Sequence, residues 1–217
     1  LRELGVDRKW IDKRVASRAS KLIGDAIEGV LVGGKRFEEY IHKMSSLISK
    51  RGESLVWTSP DGFIVDHAKF EKKSIQRTCK LKGKTVYISQ STYSDSISPR
   101  KTKNASAPNY IHSLDATLLR RVALRLCKEK IKYSSWIHDS FGCSPNNVDF
   151  MLEVTKLEFI KLIKKTPLLI LDDELKYQAS SLGISDKVLK KIQVPQLRGF
   201  RYTTGLDELM SSEWFFS

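Results

Sequence analysis

A histidine and an aspartate stand side by side at His138 and Asp139, inside the stretch "SSWIHDSFGCS" from 134 to 144. Strand-forming apolar residues flank them, Trp136 and Ile137 before and Phe141 after. Strands avoid burying an ionisable pair, because an unpaired buried carboxylate is costly or shifts its pKa until it is neutral. A carboxylate at a hairpin turn escapes that cost if it grips a hard cation, and Mg²⁺ takes one or two carboxylates together with substrate phosphates. Asp139 is therefore a candidate catalytic carboxylate and metal ligand, with Gly142 easing a sharp turn. An ordinary turn aspartate that accepts backbone hydrogen bonds is the alternative a bare His-Asp pair leaves open.

A second polar patch lies in "APNYIHSLDATLLRR", residues 107 to 121. His112 and Asp115 are three apart, so on a helix they share a face, with Arg120 and Arg121 further along. A local hydrogen-bonded pair is the simpler alternative. The surrounding segment is basic: from Arg100 to Lys132 nine Lys or Arg face only Asp115 and Glu129. Arg100, Lys101, Lys103, Arg120 and Arg121 are candidates to hold phosphates, a contact that supplies affinity without sequence information. The net charge of +13 points the same way, making a polyanion the first partner to consider against a solvated basic face. Tyr87, Tyr93, Tyr110 and Trp136 are candidates to stack on bases or to fill the core.

These residues need elements to position them. The 217 residues, 41% hydrophobic, suffice for one large domain or two small ones. No apolar run is long enough for a transmembrane span, and three widely spaced cysteines argue against a disulfide framework or zinc knuckle. The chain opens at Leu1 with neither methionine nor leader, so its true amino terminus is expected elsewhere and targeting is not legible. Apolar residues at helical spacing run from Asp7 to Lys50, with a break expected at Gly33 and Gly34. "LVWTSPDGFIV", 55 to 65, reads as a hairpin, and strands are expected at 75–81 and 85–89 around a Lys82-Gly83 turn. Residues 91–106 read as an exposed loop, and Pro108 as the first turn of a helix to about Lys130, with Leu118, Val122 and Leu126 on its apolar face. Two more helices follow. One, from Val148 to Lys165, turns Met151, Leu152, Phe159, Leu162 and Ile163 one way; the other runs from Pro167 to about Ser180. The expected fold is α+β: long helices packed on one small antiparallel sheet made of the 55–65 hairpin, the 75–89 strands and the 134–144 hairpin.

Four stretches, in order, resemble the single-subunit, bacteriophage-type DNA-directed RNA polymerases. "SPDGFIV" is similar to that family's "TPDGFPV" hairpin, "APNYIHSLDATLL" to its "PNFVHSxDxSHL" helix, "IHDSFG" to its motif C, and "GLDELMSSEWFFS" to its carboxyl-terminal foot. The resemblance implies right-hand polymerase architecture and two-metal nucleotidyl transfer, with Asp139 holding Mg²⁺ (two ions in the complete enzyme) and His138 orienting the carboxylate or primer end. It implies contacts from His112, Asp115, Phe216 and Ser217 to the incoming nucleotide or primer end, and from the basic residues to phosphates. Implied partners are a DNA template, an RNA product and ribonucleoside triphosphates, with no membrane and a monomeric enzyme. Residues 1–50 would be a long-helix region on the fingers and palm side, 51–166 the palm core with motif C, and 167–217 the carboxyl-terminal helix and foot, all within one incomplete catalytic domain. Motif A, with its "DGSxxGxQ" pattern and second aspartate, is absent from these residues. Motif B is absent too: "GVDRKWIDKRV", 5 to 15, echoes it, but Asp12 stands where a lysine belongs. The chain thus resembles the carboxyl-terminal part of a polymerase, expected to be inactive alone. The "WFFS" ending and "HSLD" look more mitochondrial than phage, with chloroplast, phage and plasmid origins as the alternatives. Two rival readings are an HD-type metal phosphohydrolase using His112, His138, Asp139 and Asp172 as helix-borne ligands, and a noncatalytic nucleic-acid-binding relic.

Overall fold

A computed structural model describes residues 13–137, 140–195 and 206–212. Helix α1 (Lys13–Val30) and helix α2 (Val32–Ser49) meet at Leu31, whose ψ of 48° leaves the helical region. The expected break at Gly33 and Gly34 is thereby corrected: both glycines lie in the first turn of α2, where backbone N–H groups have no intrahelical partner to lose. Helix α2 buries Phe37, Tyr40, Ile41, Met44 and Ile48, the stripe its helical spacing predicts.

Strands β1 (Leu55–Thr58) and β2 (Ile64–His67) pair antiparallel with Leu55 opposite His67. Their connection closes through Ser59 N–H to Phe63 O and Gly62 N–H to Ser59 O, both 2.8 Å, and Gly62 takes a φ of +90° that side chains disfavour. Alternation sends Leu55 and Trp57 inward and leaves Val56 and Thr58 outside.

Strands β3 (Phe70–Leu81) and β4 (Lys84–Ile97) form a long ribbon turning at Lys82 (φ 49°) and Gly83 (φ 76°), the double positive φ of a two-residue hairpin turn. Residues 91–106 are therefore no loop: the strand continues to Ile97, and helix α3 (Pro99–Lys128) starts two residues later. The sequence hid this because every residue of β3 and nearly all of β4 is exposed, so no burial imposes an apolar period. Pro99, not Pro108, opens α3; Pro108 lies inside it and deletes the N–H that would reach the carbonyl of Asn104.

Strands β5 (Ser134–Ile137) and β6 (Ser140–Cys143) pair with Trp136 opposite Phe141 and Ser135 opposite Gly142. A 3₁₀ turn at Pro145–Asn147 leads into α4 (Val148–Lys164), followed by α5 (Pro167–Ser181), α6 (Asp186–Leu189) and α7 (Leu206–Ser211). Among the described residues the strands form three separate two-stranded sheets rather than the single sheet expected. The fold remains α+β. An isolated two-stranded hairpin is marginal in water, so helices must carry these ribbons.

Two apolar clusters do so for the β1–β2 and β5–β6 ribbons. The first joins the α2 stripe to Leu55, Trp57, Tyr110 and the α5 residues Leu171, Leu175 and Ala179. The second joins Leu118, Val122 and Leu126 of α3 to Met151, Val154 and Leu162 of α4, with Trp136, Phe141 and Cys143 of the third ribbon packed against it. Leu114 touches both clusters. On α4 the expected Leu152 is at the surface, and Val154 fills the core place instead.

Candidate functional site

Helix α3 organises the site. Its buried stripe is Thr102, Ser106, Tyr110, Ser113 and Thr117, mostly small hydroxyl residues that let α2 and the β1–β2 hairpin approach its backbone closely. The hydroxyls find partners: Ser113 Oγ donates to Tyr110 O (2.6 Å) and Thr117 Oγ1 to Ser113 O (2.8 Å). Trp57 Nε1–H in turn donates to Ser113 Oγ at 3.1 Å, and Tyr110 O–H to Pro167 O at 2.9 Å. Burial pushes the Tyr110 phenol above its usual range, keeping it a donor.

His67, at the end of β2, is wedged against the same helix. A carbonyl can only accept, so Nε2–H donates to Thr102 O (3.0 Å), and Nδ1 accepts from Asn109 Nδ2–H (2.7 Å). Burial holds this imidazole below its ordinary value, consistent with the neutral tautomer that geometry requires. The stretch "APNYIHSLDATLLRR" thus divides: Asn109, Tyr110, Ser113 and Thr117 hold the fold together, while His112 and Asp115 stay exposed on α3.

Arg120 and Arg121 close the hairpin turn onto α3. Asp61 receives Arg120 Nε at Oδ2 (2.5 Å) and Arg120 Nη2 at Oδ1 (2.9 Å), and Oδ1 also accepts from Ser59 Oγ (2.5 Å) and Thr117 Oγ1 (3.1 Å). The guanidinium, assisted by the two hydroxyls, holds the Asp61 carboxyl well below the usual carboxylate range. Arg121 Nη2 donates to Pro60 O at 2.9 Å. Both arginines expected at phosphates therefore have protein partners, which sequence reasoning missed: "SPDG" signals a turn, but nothing local ties it to an arginine 59 residues on. Arg100 and Lys101 are exposed at the start of α3, with Lys101 Nζ 3.3 Å from Glu71, and Lys103 is half-buried one turn into the helix.

The β5–β6 ribbon reaches the second cluster through Trp136 and Phe141, whose ring centroids are 5.1 Å apart. Gly142 is not at a turn but within β6: a Cβ there would meet Ser135 Oγ at 2.6 Å, so the residue serves close cross-strand approach. His138 and Asp139 stand between the paired Ile137 and Ser140 in the sequence and, like Phe216, Ser217 and the 5–12 part of the motif B echo, lie outside the described residues. The last described segment is fastened to α4 by Lys156, a buried ammonium donating to Met210 O (3.3 Å) and Ser212 O (2.5 Å).

The HD-type reading required helix-borne ligands, and the ribbon at 134–143 removes that requirement's basis. Asp172 is committed elsewhere: its Oδ1 accepts from Tyr40 O–H (2.8 Å) and its Oδ2 from Lys176 Nζ (2.6 Å) at the α2–α5 contact. Among the described residues no three His, Cys, Asp or Glu side chains stand close enough to share a metal ion. No described helix is long and apolar enough to cross a membrane.

Comparison with known proteins is specific where the geometry is not. The family model described as DNA-dependent RNA polymerase matches residues 3–204, and the chain belongs to that family. Its relatives are phage and organelle enzymes. It is 27% identical over 150 residues to the DNA-directed RNA polymerase of Pseudomonas phage phiKMV, covering 69% of this chain and 18% of that protein. It is 25% identical over 147 residues to the mitochondrial DNA-directed RNA polymerase 1 of Arabidopsis thaliana (68% and 14%). It is 24% identical over 205 residues to the mitochondrial enzyme of Mus musculus (88% and 16%). The chain spans less than a fifth of the length of these relatives.

Proposed function

We propose that this chain is the motif C-bearing, carboxyl-terminal part of a single-subunit DNA-directed RNA polymerase, adding ribonucleotides to an RNA 3′ end on a DNA template. The observation that carries the reading is the seating of the β5–β6 ribbon, through Trp136, Phe141 and Cys143, on the cluster that α3 builds with Leu118 and Val122. The strands that flank Asp139 in the sequence thus rest on a cluster to which α3, the helix bearing His112 and Asp115, contributes, so two stretches matching one family's motifs share one support. In the reading, 51–166 is palm core, 1–50 a fingers-side helical region and 167–217 the foot.

Asp139 is the one motif carboxylate these residues contribute, and Mg²⁺ accepts a single protein carboxylate when substrate phosphates complete its shell. The two ions would supply Lewis-acid stabilisation of the attacking and leaving oxygens. The chain's own residues then do the positioning. His138 orients the carboxylate or the RNA end, and His112 and Asp115 line the approach of the nucleotide, with Phe216 and Ser217 closing the site. Arg100, Lys101 and Lys103 neutralise backbone phosphates, and Arg120 and Arg121 contribute whatever donors their bonds to Asp61 and Pro60 leave over. The enzyme is monomeric. Its relatives work in phage, mitochondria and chloroplasts, and the mitochondrial setting is the one the "WFFS" and "HSLD" stretches favour.

With motifs A and B absent from the 217 residues, the isolated chain should incorporate no ribonucleotide, whereas the longer polymerase carrying it should lose activity on Asp139→Ala. Mg²⁺-dependent, template-directed incorporation by the 217 residues alone would contradict the first expectation; full activity of the Asp139→Ala polymerase would defeat the whole reading. The noncatalytic alternative draws on the strong positive charge alone.

A further inference from the structure

A groove runs between α2, the start of α3 and the segment after α6. Its larger part, a cleft of about 420 Å³, is lined by Glu39, His42, Lys43, Lys103 and the apolar Leu47 and Ile192. A neighbouring cleft of about 250 Å³ shares Glu39, Lys43 and Ile192 with it and adds Arg36 and Gln193. The two clefts share these three residues and adjoin along the groove. Three cations, Arg36, Lys43 and Lys103, stand along it against Glu39, and none of the three forms an ion pair among the described residues. His42 Nε2 is buried in this wall without a hydrogen bond, and its nearest carboxylate, Glu38, is 3.8 Å away.

Unpaired cations lining a concave, partly apolar channel create a local positive potential that only an anion relieves. The channel's length and the spread of its cations over two helices suit a run of phosphates better than one. Its apolar floor suits sugars and bases, which carry no charge. The channel adjoins the first core cluster, against which Leu47 and Ile192 pack, whereas the β5–β6 ribbon sits on the second, so it is not the nucleotidyl-transfer centre.

We infer that this groove is a binding site for the phosphate backbone of a single nucleic-acid strand, held by Arg36, Lys43 and Lys103. This inference rests on the polymerase reading for its choice of anion and adds a strand path on a different core cluster from the one that supports the β5–β6 strands.

The test is fluorescence anisotropy of a labelled oligothymidylate against the 217-residue chain at salt concentrations between about 50 and 200 mM, with ATP as a separate competitor arm. Each phosphate contact on a single strand contributes about 0.7 to the slope of log affinity against log salt. Lys43→Gln/Lys103→Gln should lower affinity roughly tenfold at low salt and flatten the slope by about 1.4. Lys43→Arg/Lys103→Arg should restore both, and Glu39→Gln, which removes the opposing carboxylate, should tighten binding. Near-UV circular dichroism of the aromatic side chains verifies folding, and the Glu39→Gln gain keeps the inference testable if a lysine variant misfolds. Wild-type binding that ignores the groove variants but weakens in Lys72→Gln/Lys73→Gln, on the β3–β4 ribbon, overturns the groove and leaves the polymerase reading standing. Lysine-dependent binding of ATP without that of the oligonucleotide overturns the strand as ligand. Absence of any strand binding at low salt counts against both.

Discussion

Asp61, in the β1–β2 turn, and Arg120, on α3, are joined in a two-pronged pair, Nε to Oδ2 at 2.5 Å and Nη2 to Oδ1 at 2.9 Å. The guanidinium also lies 5.1 Å from the centre of the Phe63 ring. One side chain thus clips the tip of a hairpin to the helix that carries His112 and Asp115. This is a planar, bidentate recognition that lysine does not reproduce.

Arg120→Lys should therefore behave almost like Arg120→Ala, each lowering stability by about 1–2 kcal/mol, since the pair is partly solvated and worth less than a buried one. The depressed carboxyl adds a pH signature. Asp61 contributes stability that is fully present above its unfolded pKa of about 3.9 and is lost as pH falls below it toward the lower folded value. Urea denaturation from pH 7 to pH 3 should show a steeper acid loss in the wild type than in Asp61→Asn; parallel curves would dissociate Asp61 from the acid limb.

His67 supplies a second pH dependence in a different window. Its folded pKa lies below the unfolded value of about 6.5, so the neutral ring contributes stability above that pH, and protonation erodes it as pH falls. Asn109→Ala strips the donor from a buried Nδ1, which costs about 1–3 kcal/mol at pH 8. Because the stranded nitrogen can then accept a proton, that penalty should shrink on titration to pH 5. Chemical denaturation of both proteins at the two pH values measures it.

Tyr40 and Asp172 tie α2 to α5. Tyr40→Phe leaves the Asp172 carboxylate, 9% exposed, to Lys176, and stability should fall by about 1–3 kcal/mol. In a polymerase that carries this chain, as proposed above, Tyr40→Phe should leave the metal requirement unchanged, since Asp172 is committed to Tyr40 and Lys176. A rise in the metal concentration needed for half-maximal activity would speak against that assignment.

Gly142 can be tested against Ser135 by a double-mutant cycle. Gly142→Ala forces the Ser135 hydroxyl out of its place, a shift worth about 1 kcal/mol because only a side-chain end must move. In a Ser135→Ala background the same change should cost close to nothing. Equal penalties in the two backgrounds, read from thermal melts, would show that the glycine is needed for another reason.

Periodic burial was what the sequence declared by itself. The stripes of α2 and of the second half of α3, the two hairpins with turn residues, and the family motifs at 107–119 and 137–142 are all local patterns, readable because spacing of 3.6 or 2 and turn chemistry act within a few residues. Where no face is buried, as along β3 and β4, that code falls silent, and a strand passed for a loop. Tertiary structure alone decided which polar residues work for the fold. Arg120, Arg121 and Asp172 look like phosphate contacts or a metal ligand in one dimension, yet each is claimed by a partner that chain folding brings from 59 to 132 residues away. A hydrogen bond or ion pair depends on separations of about 3 Å in space, and spacing along the chain carries no record of them across such distances. Packing also split one expected sheet into three ribbons: β1–β2 and β5–β6 each bury one face in a helical cluster, while β3–β4 stays exposed on both faces.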